Sequence, residues 1–172
     1  TANWTQITFD TPFTEEPVVF ASQSNTNSSM PTAIRIKNVT KTGFEVKLQK
    51  EEAVTTTPLS ESFSFLALNT GQGVIDNKKI IVGKTAANTV GPTYSTINYG
   101  DSIAEPLFIA HMQTCNDASI TSTLRTLSVT NKYSTVVKQR EISASNTNPL
   151  KETVAWLVID QATILGNDKI KH

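Results

Sequence analysis

The sequence is short of the residues that usually carry chemistry. Its 172 residues include one cysteine, Cys115, and two histidines, His111 and His172. One cysteine excludes an internal disulfide, and so few His and Cys exclude the ligand sets that hold zinc. Charge is scarce too. Charged residues make up 17% of the chain, and 15 basic residues balance 15 acidic ones. A chain of zero net charge has no electrostatic hold on nucleic acid or on an anionic membrane. No apolar run approaches the ~20 residues that span a bilayer, so membrane insertion by a helix is not expected. Gly71-Gln72-Gly73 has no helix after it to cradle phosphate, and no EF-hand spacing occurs. These residues call for no cofactor.

Helical periodicity is also lacking: no window of 11 or more residues repeats its apolar positions every 3.6 residues. What is present suits strands and turns. Phe44, Val46 and Leu48 alternate with Glu45, Lys47 and Gln49, and Ile34 and Ile36 alternate with Arg35 and Lys37. Side chains of a strand point to opposite faces with period two. The two stretches flank Thr40-Lys41-Thr42-Gly43, where a glycine can take a positive φ, and so predict an antiparallel hairpin with one wet face. Val154, Trp156 and Val158 opposite Ala155, Leu157 and Ile159 predict a strand buried on both faces. The chain reads as all-β.

The hairpin occurs twice. Glu16-Pro17 with Val18-Val19-Phe20-Ala21 recurs as Glu105-Pro106 with Leu107-Phe108-Ile109-Ala110. Arg35 matches Arg125, Gln49 matches Gln139, and Glu51 matches Glu141. Glu61, ahead of Phe63 to Leu68, matches Glu152, ahead of Val154 to Ile159. Trp4, Ile7 and Phe9 match Tyr94, Ile97 and Tyr99. The shift drifts from 89 to 91 residues, as loop insertions allow. Each unit ends in a short hairpin, Gly73 to Val82 and Thr163 to Ile170. The expected organisation is two tandem antiparallel β-sandwiches of about six strands each, residues 1–84 and 85–172. The second is expected to be truncated at its C-terminal end, and the natural protein to be longer. Units so small bury limited apolar area, so the two are expected to pack together.

The candidate binding residues lie at the strand ends of this repeat: Gln49 and Glu51, Gln139 and Glu141, with Arg35 and Arg125 on the preceding strands. Amides, carboxylates and guanidinium groups can accept from and donate to vicinal hydroxyls. The same polar residues would also keep a strand edge soluble. His111 and Cys115, four residues apart on one strand face, would stand about 13 Å apart, too far for a nucleophile–base pair. Glu15-Glu16, Glu51-Glu52 and Asp117 could lend oxygens to calcium, though solvated charge accounts for them. Trp156 is expected in the core. Trp4 reads as core or as a platform for a sugar ring.

Ile7-Thr8-Phe9, Pro12-Phe13, Pro17-Val18-Val19, Arg35, Val39, Thr42-Gly43-Phe44 and the apolar strand Val154 to Ile159 together resemble the H-type lectin domain of agglutinins and bacterial surface proteins. The resemblance covers most of the first unit and, more faintly, the second. It implies a six-stranded antiparallel sandwich, often trimeric, that binds galactose-type sugars at subunit edges. In the snail agglutinins an Arg before the hairpin and a Trp-His pair after it hold the sugar. Here Pro31 and Glu51-Glu52 occupy those positions, and Glu141-Ile142 the second pair. The reading is therefore a non-catalytic carbohydrate- or surface-binding module of a larger extracellular protein. Its partner would be a glycan or surface polysaccharide, with a homo-oligomer as a further expectation. The alternative is a structural spacer or assembly module of an adhesin or fibre protein. A hydrolase with paired carboxylates is the third class.

Overall fold

Alternation of apolar and polar residues sets the strands. In the computed structural model, which describes residues 3–24, 27, 31–51, 55–56, 60–118, 120–140 and 150–161, twelve strands follow in order. They are β1 (Thr5–Thr8), β2 (Val18–Gln23), β3 (Thr32–Thr40), β4 (Gly43–Lys50), β5 (Phe63–Leu68), β6 (Gly71–Ile75), β7 (Lys78–Lys84), β8 (Ser95–Asn98), β9 (Pro106–Met112), β10 (Ser122–Val129), β11 (Tyr133–Arg140) and β12 (Val154–Asp160). No helix occurs among the described residues. The hairpin expected from Thr163 to Ile170 lies outside them.

All pairings between these strands are antiparallel. The sheets run β1-β4-β3, β2-β5, β8-β11-β10 and β6-β7-β12-β9. Registers in β1–β5 recur in β8–β12. Thr5 faces Val46 as Ser95 faces Val136, and Ala33 faces Gln49 as Thr123 faces Gln139. Val18 faces Leu68 as Leu107 faces Ile159. A one-residue slip would turn each strand inside out, so these registers are fixed by the faces they bury.

Among the described residues three apolar clusters hold the sheets together. Phe9, Val19, Ile36, Phe44 and Val46 fill the space between the two sheets of the first half. Ile97, Tyr99, Met112, Val136, Val154, Trp156 and Val158 do the same in the second. Between the halves, Val18, Phe20 and Leu68 meet Ile80, Val82, Ala155 and Leu157. β12 therefore feeds one core with Val154, Trp156 and Val158 and the seam with Ala155 and Leu157, as its unbroken apolar sequence predicts.

Two local features differ from the sequence reading. Gly43 does not take a positive φ; among glycines only Gly71 and Gly100 do so in the described residues. It is glycine because the Ile7 carbonyl of β1 lies where a Cβ would stand. The β6–β7 hairpin, read as the end of the first unit, is hydrogen-bonded into the sheet of the second, with β7 between β6 and β12. Its turn at Asp76-Asn77, with φ of 50° and 61°, is the tight type that suits the strand twist. The reason for the placement is apolar: Ile81 joins the second core and Val82 the seam.

Gly83 lets this happen. It pairs with Trp156, and a Cβ there would overlap the indole ring. That ring is held by Tyr99, with centroids 6.0 Å apart, and has little room to give. Gly83→Ala should lower stability by roughly 1–3 kcal/mol, the usual cost of overpacking. Thermal melting of the variant beside wild type checks it.

Candidate functional site

The repeated Arg and Gln are the starting point. β3 and β4 pair so that Arg35 and Gln49 lie on one face, and Arg35 Nη1 donates to Gln49 Oε1 at 2.7 Å. The sequence reading left this face wet. In the structure both residues are buried, because the second half covers them. Arg35 Nη1 also donates to Ser122 Oγ, and Nη2 to the Thr114 carbonyl. Gln49 Nε2 donates to the Ala118 carbonyl. These groups are spent within the protein, so neither residue presents a binding group at the surface.

At the centre is Glu152, just before β12. Its Oε1 receives Arg35 Nη2 and Lys138 Nζ, each at 3.0 Å, and all three side chains are buried. Its Oε2 receives the Thr114 hydroxyl at 2.5 Å and the Asn116 amide at 3.0 Å. A carboxylate with four donors is well compensated for the water it has lost. Lys138 also donates to the Leu150 carbonyl. The sequence reading matched Glu152 to Glu61 but did not pair it with Arg35, 117 residues away. Lys138 was missed. Its one legible signal is position: it falls on the face of β11 that alternation assigns to Val136 and Ser134, both buried.

The second Arg–Gln pair is made in the same way. Arg125 Nη1 donates to Gln139 Oε1 at 2.8 Å. This pair is exposed. It lines a cleft of ≈ 390 Å³ at the seam between halves, together with Glu51, Thr32, Thr123 and Arg140. Of the six residues expected to bind, Glu51, Arg125 and Gln139 share this cleft, and Arg35 and Gln49 lie inside the protein. Glu141 lies outside the described residues. Arg140 was not foreseen. Its Nη1 is shut away from solvent with no acceptor among the described residues. The cleft thus offers one carboxylate, two guanidinium groups, an amide and hydroxyls.

Other expectations resolve separately. Trp4 has Lys37 Nζ at 4.3 Å and Lys47 Nζ at 4.9 Å from its ring centroid, so two ammonium groups already lie over the ring. Cys115 lies in the loop after β9, not on the strand, and burial pushes its thiol up. Among the described residues no group of three or more His, Cys, Asp or Glu could hold a metal.

The comparisons with known proteins bear on the first half. Residues 4–64 match the H-type lectin domain. The match runs from the residue before β1 to the opening of β5 and includes Glu51, and that domain is a carbohydrate-binding module. Neither the curated proteins nor the solved structures give a significant match to the chain.

The buried charges set two expectations. Glu152→Ala leaves Arg35 and Lys138 buried without their counter-ion, and should cost roughly 3–5 kcal/mol in denaturant unfolding. His111 is held below its ordinary value by burial, against a hydrogen bond from Nδ1 to the Met112 carbonyl, with Arg35 adding to the depression. A histidine depressed in the folded state binds its proton more tightly when unfolded. Its contribution is full above about pH 6.5 and is lost as pH falls through the folded value. Melting temperature should drop on acidification through that window, and His111→Gln should flatten the drop.

Proposed function

We propose that the chain is a non-catalytic carbohydrate-binding module of a larger extracellular or cell-surface protein. It would comprise two H-type-lectin-like units in tandem, residues 1–84 and 85–172, the first lending its last hairpin to the second. The recurrence of strand registers supports the two units. The observation that carries the binding site is the cleft at their seam. It draws Glu51 from one half and Arg125, Gln139 and Arg140 from the other around a volume within the range of small-ligand pockets. Pro31 and Glu51 also line it; they stand at the family's sugar-contact positions but are not the residues the agglutinins carry there.

The chemistry suits polyols. Glu51 accepts from vicinal hydroxyls, the guanidinium groups donate, and the Gln139 amide does both. Glu51 is the one carboxylate among the described lining residues. That favours binding over hydrolysis, which needs a pair.

The rival reading, an assembly module, has its own support: the first Arg–Gln pair is spent on packing one half against the other.

Each hydrogen bond contributes about 0.5–1.5 kcal/mol, more where one partner is charged, so affinity should be weak. A glycan found on an array should titrate against wild type and lose about tenfold or more with Glu51→Ala or Arg140→Ala, at equal melting temperature for Glu51→Ala. Equal binding by both variants would remove the cleft from the reading. No glycan binding at millimolar concentration would leave the assembly reading in its place.

A further inference from the structure

β5 and β12 are counterparts in the repeat, and they differ in what lies beside them. β12 is hydrogen-bonded to β9 on one side and to β7 on the other. β5 has β2, the counterpart of β9, on one side and no strand on the other among the described residues. The registers agree: Ala21 faces Phe65 as Ala110 faces Trp156, and Gln23 faces Phe63 as Met112 faces Val154. The side of β5 that corresponds to β7 is therefore an open sheet edge.

Two observations give the shape of what fits there. The first is Phe65, the counterpart of Trp156. Its ring centroid lies 5.1 Å from that of Phe44 and 6.2 Å from that of Phe9, both buried, so it faces the first core. Yet Phe65 is 43% exposed and Trp156 8%. β7 makes the difference: its Gly83 lies against the indole ring, and its Ile81 enters the same core. The second is a space at the end of the first sandwich. In the second half Val90 exchanges both backbone hydrogen bonds with Glu152, and its side chain is buried in the core. The Gly91 carbonyl accepts from the Lys138 amide. The counterparts of Glu152 and Lys138 are Glu61 and Leu48. Both line a cavity of ≈ 160 Å³ in the first half, with Ile34, Val46 and Phe63. Val46 and Phe63 correspond to Val136 and Val154, which share a core with Val90. The first half thus has an open edge where the second has β7, and a cavity where the second has Val90.

We propose that this edge takes the closing hairpin of another such unit, placed ahead of the first half in the longer protein. Its inner strand pairs with β5. A glycine lies under Phe65, a branched aliphatic side chain enters the core as Ile81 does, and a valine beyond the strand fills the cavity. The occupant is argued from the chain itself, where β7 and Val90 do this for β12. At the shift of 90 that relates Ile7 to Ile97, a counterpart of Val90 falls immediately ahead of Thr1. Main-chain pairing supplies the affinity and the spacing of the side chains the specificity, as in other cases of strand addition. The proposal rests on the reading of the chain as tandem units of a longer protein, and not on the cleft.

The test uses the 172-residue chain and a synthetic peptide with the sequence of Lys78–Gly91, at a concentration where sedimentation gives the mass of a monomer. The peptide must be ordered on binding, so saturation is expected only toward about 1 mM. Hydrogen exchange should then slow at the β5 amides not bonded to β2, and not at β12, whose own β7 is tethered in place. Peptides carrying Ile81→Asp, Gly83→Val or Val90→Asp should each bind about tenfold or more weakly, since a carboxylate then enters an apolar space or a side chain meets Phe65. These changes lie in the peptide and leave the fold of the chain untouched. A chain extended by a copy of Lys78–Val90 ahead of Thr1 should melt higher than the 172-residue chain and no longer take up the peptide. Equal binding by all four peptides would overturn the proposal. So would absence of binding together with an unchanged melting temperature for the extended chain. So would slow exchange of the same β5 amides without peptide, which would mean that a second copy or another part of the chain already covers the edge. Glycan titration of the peptide-free chain reads the cleft separately, so failure of the peptide and failure of the carbohydrate reading are told apart.

Discussion

Everything at the seam depends on one buried carboxylate. Glu152 stands at the entry to β12, where the chain comes in from a loop and turns into the most apolar strand of the molecule. A carboxylate there is costly unless its oxygens are filled. They are filled from both halves, by Arg35 on one side and by Lys138, Thr114 and Asn116 on the other. The cluster carries two cations and one anion, so its net charge leans on the carbonyls of Thr114 and Leu150, which take further donors from Arg35 and Lys138. Because the bridge runs through buried groups, salt screens it little. It fixes how β3 of the first half meets the loop before β10 of the second, and so fixes where the cleft opens.

Around that bridge the halves are interlocked rather than set side by side. β7 is read from the first half and hydrogen-bonded in the second. Its Ile81 enters one core and its Val82 the seam. Gly83 makes room for Trp156. The cleft inherits its rigidity from these contacts: Glu51 extends from the end of β4, whose pairing with β3 is held by Arg35 and Gln49. Preorganised groups lose less freedom on binding, so a ligand taken as proposed would find Glu51 already placed.

Much of this was legible. Period-two alternation placed β3 and β4, the unbroken apolar run marked β12 as buried on both faces, and the repeat matched Arg35 and Gln49 to Arg125 and Gln139. What alternation cannot show is which outer face another part of the chain will cover. Arg35 and Arg125 are equivalent in sequence and opposite in burial, because only the first meets a neighbour. Nor does a periodic pattern say which sheet a hairpin joins. β6–β7 is continuous with β5 in sequence but pairs with β12, a choice made by Ile81, Val82 and the missing Cβ of Gly83. Lys138 was missed for a plainer reason: a lysine at an inward position reads as an exception to the pattern until the carboxylate that neutralises it is located.

The central claim is that the two halves form one cooperative body closed over Glu152. Native-state amide hydrogen exchange tests it most directly, because it reads the opening free energy of each strand separately. The account predicts that the slowest amides of β4 in the first half and of β12 in the second open with the same free energy and the same dependence on denaturant. Two distinct sets of values, with β4 opening while β12 stays protected, would contradict it.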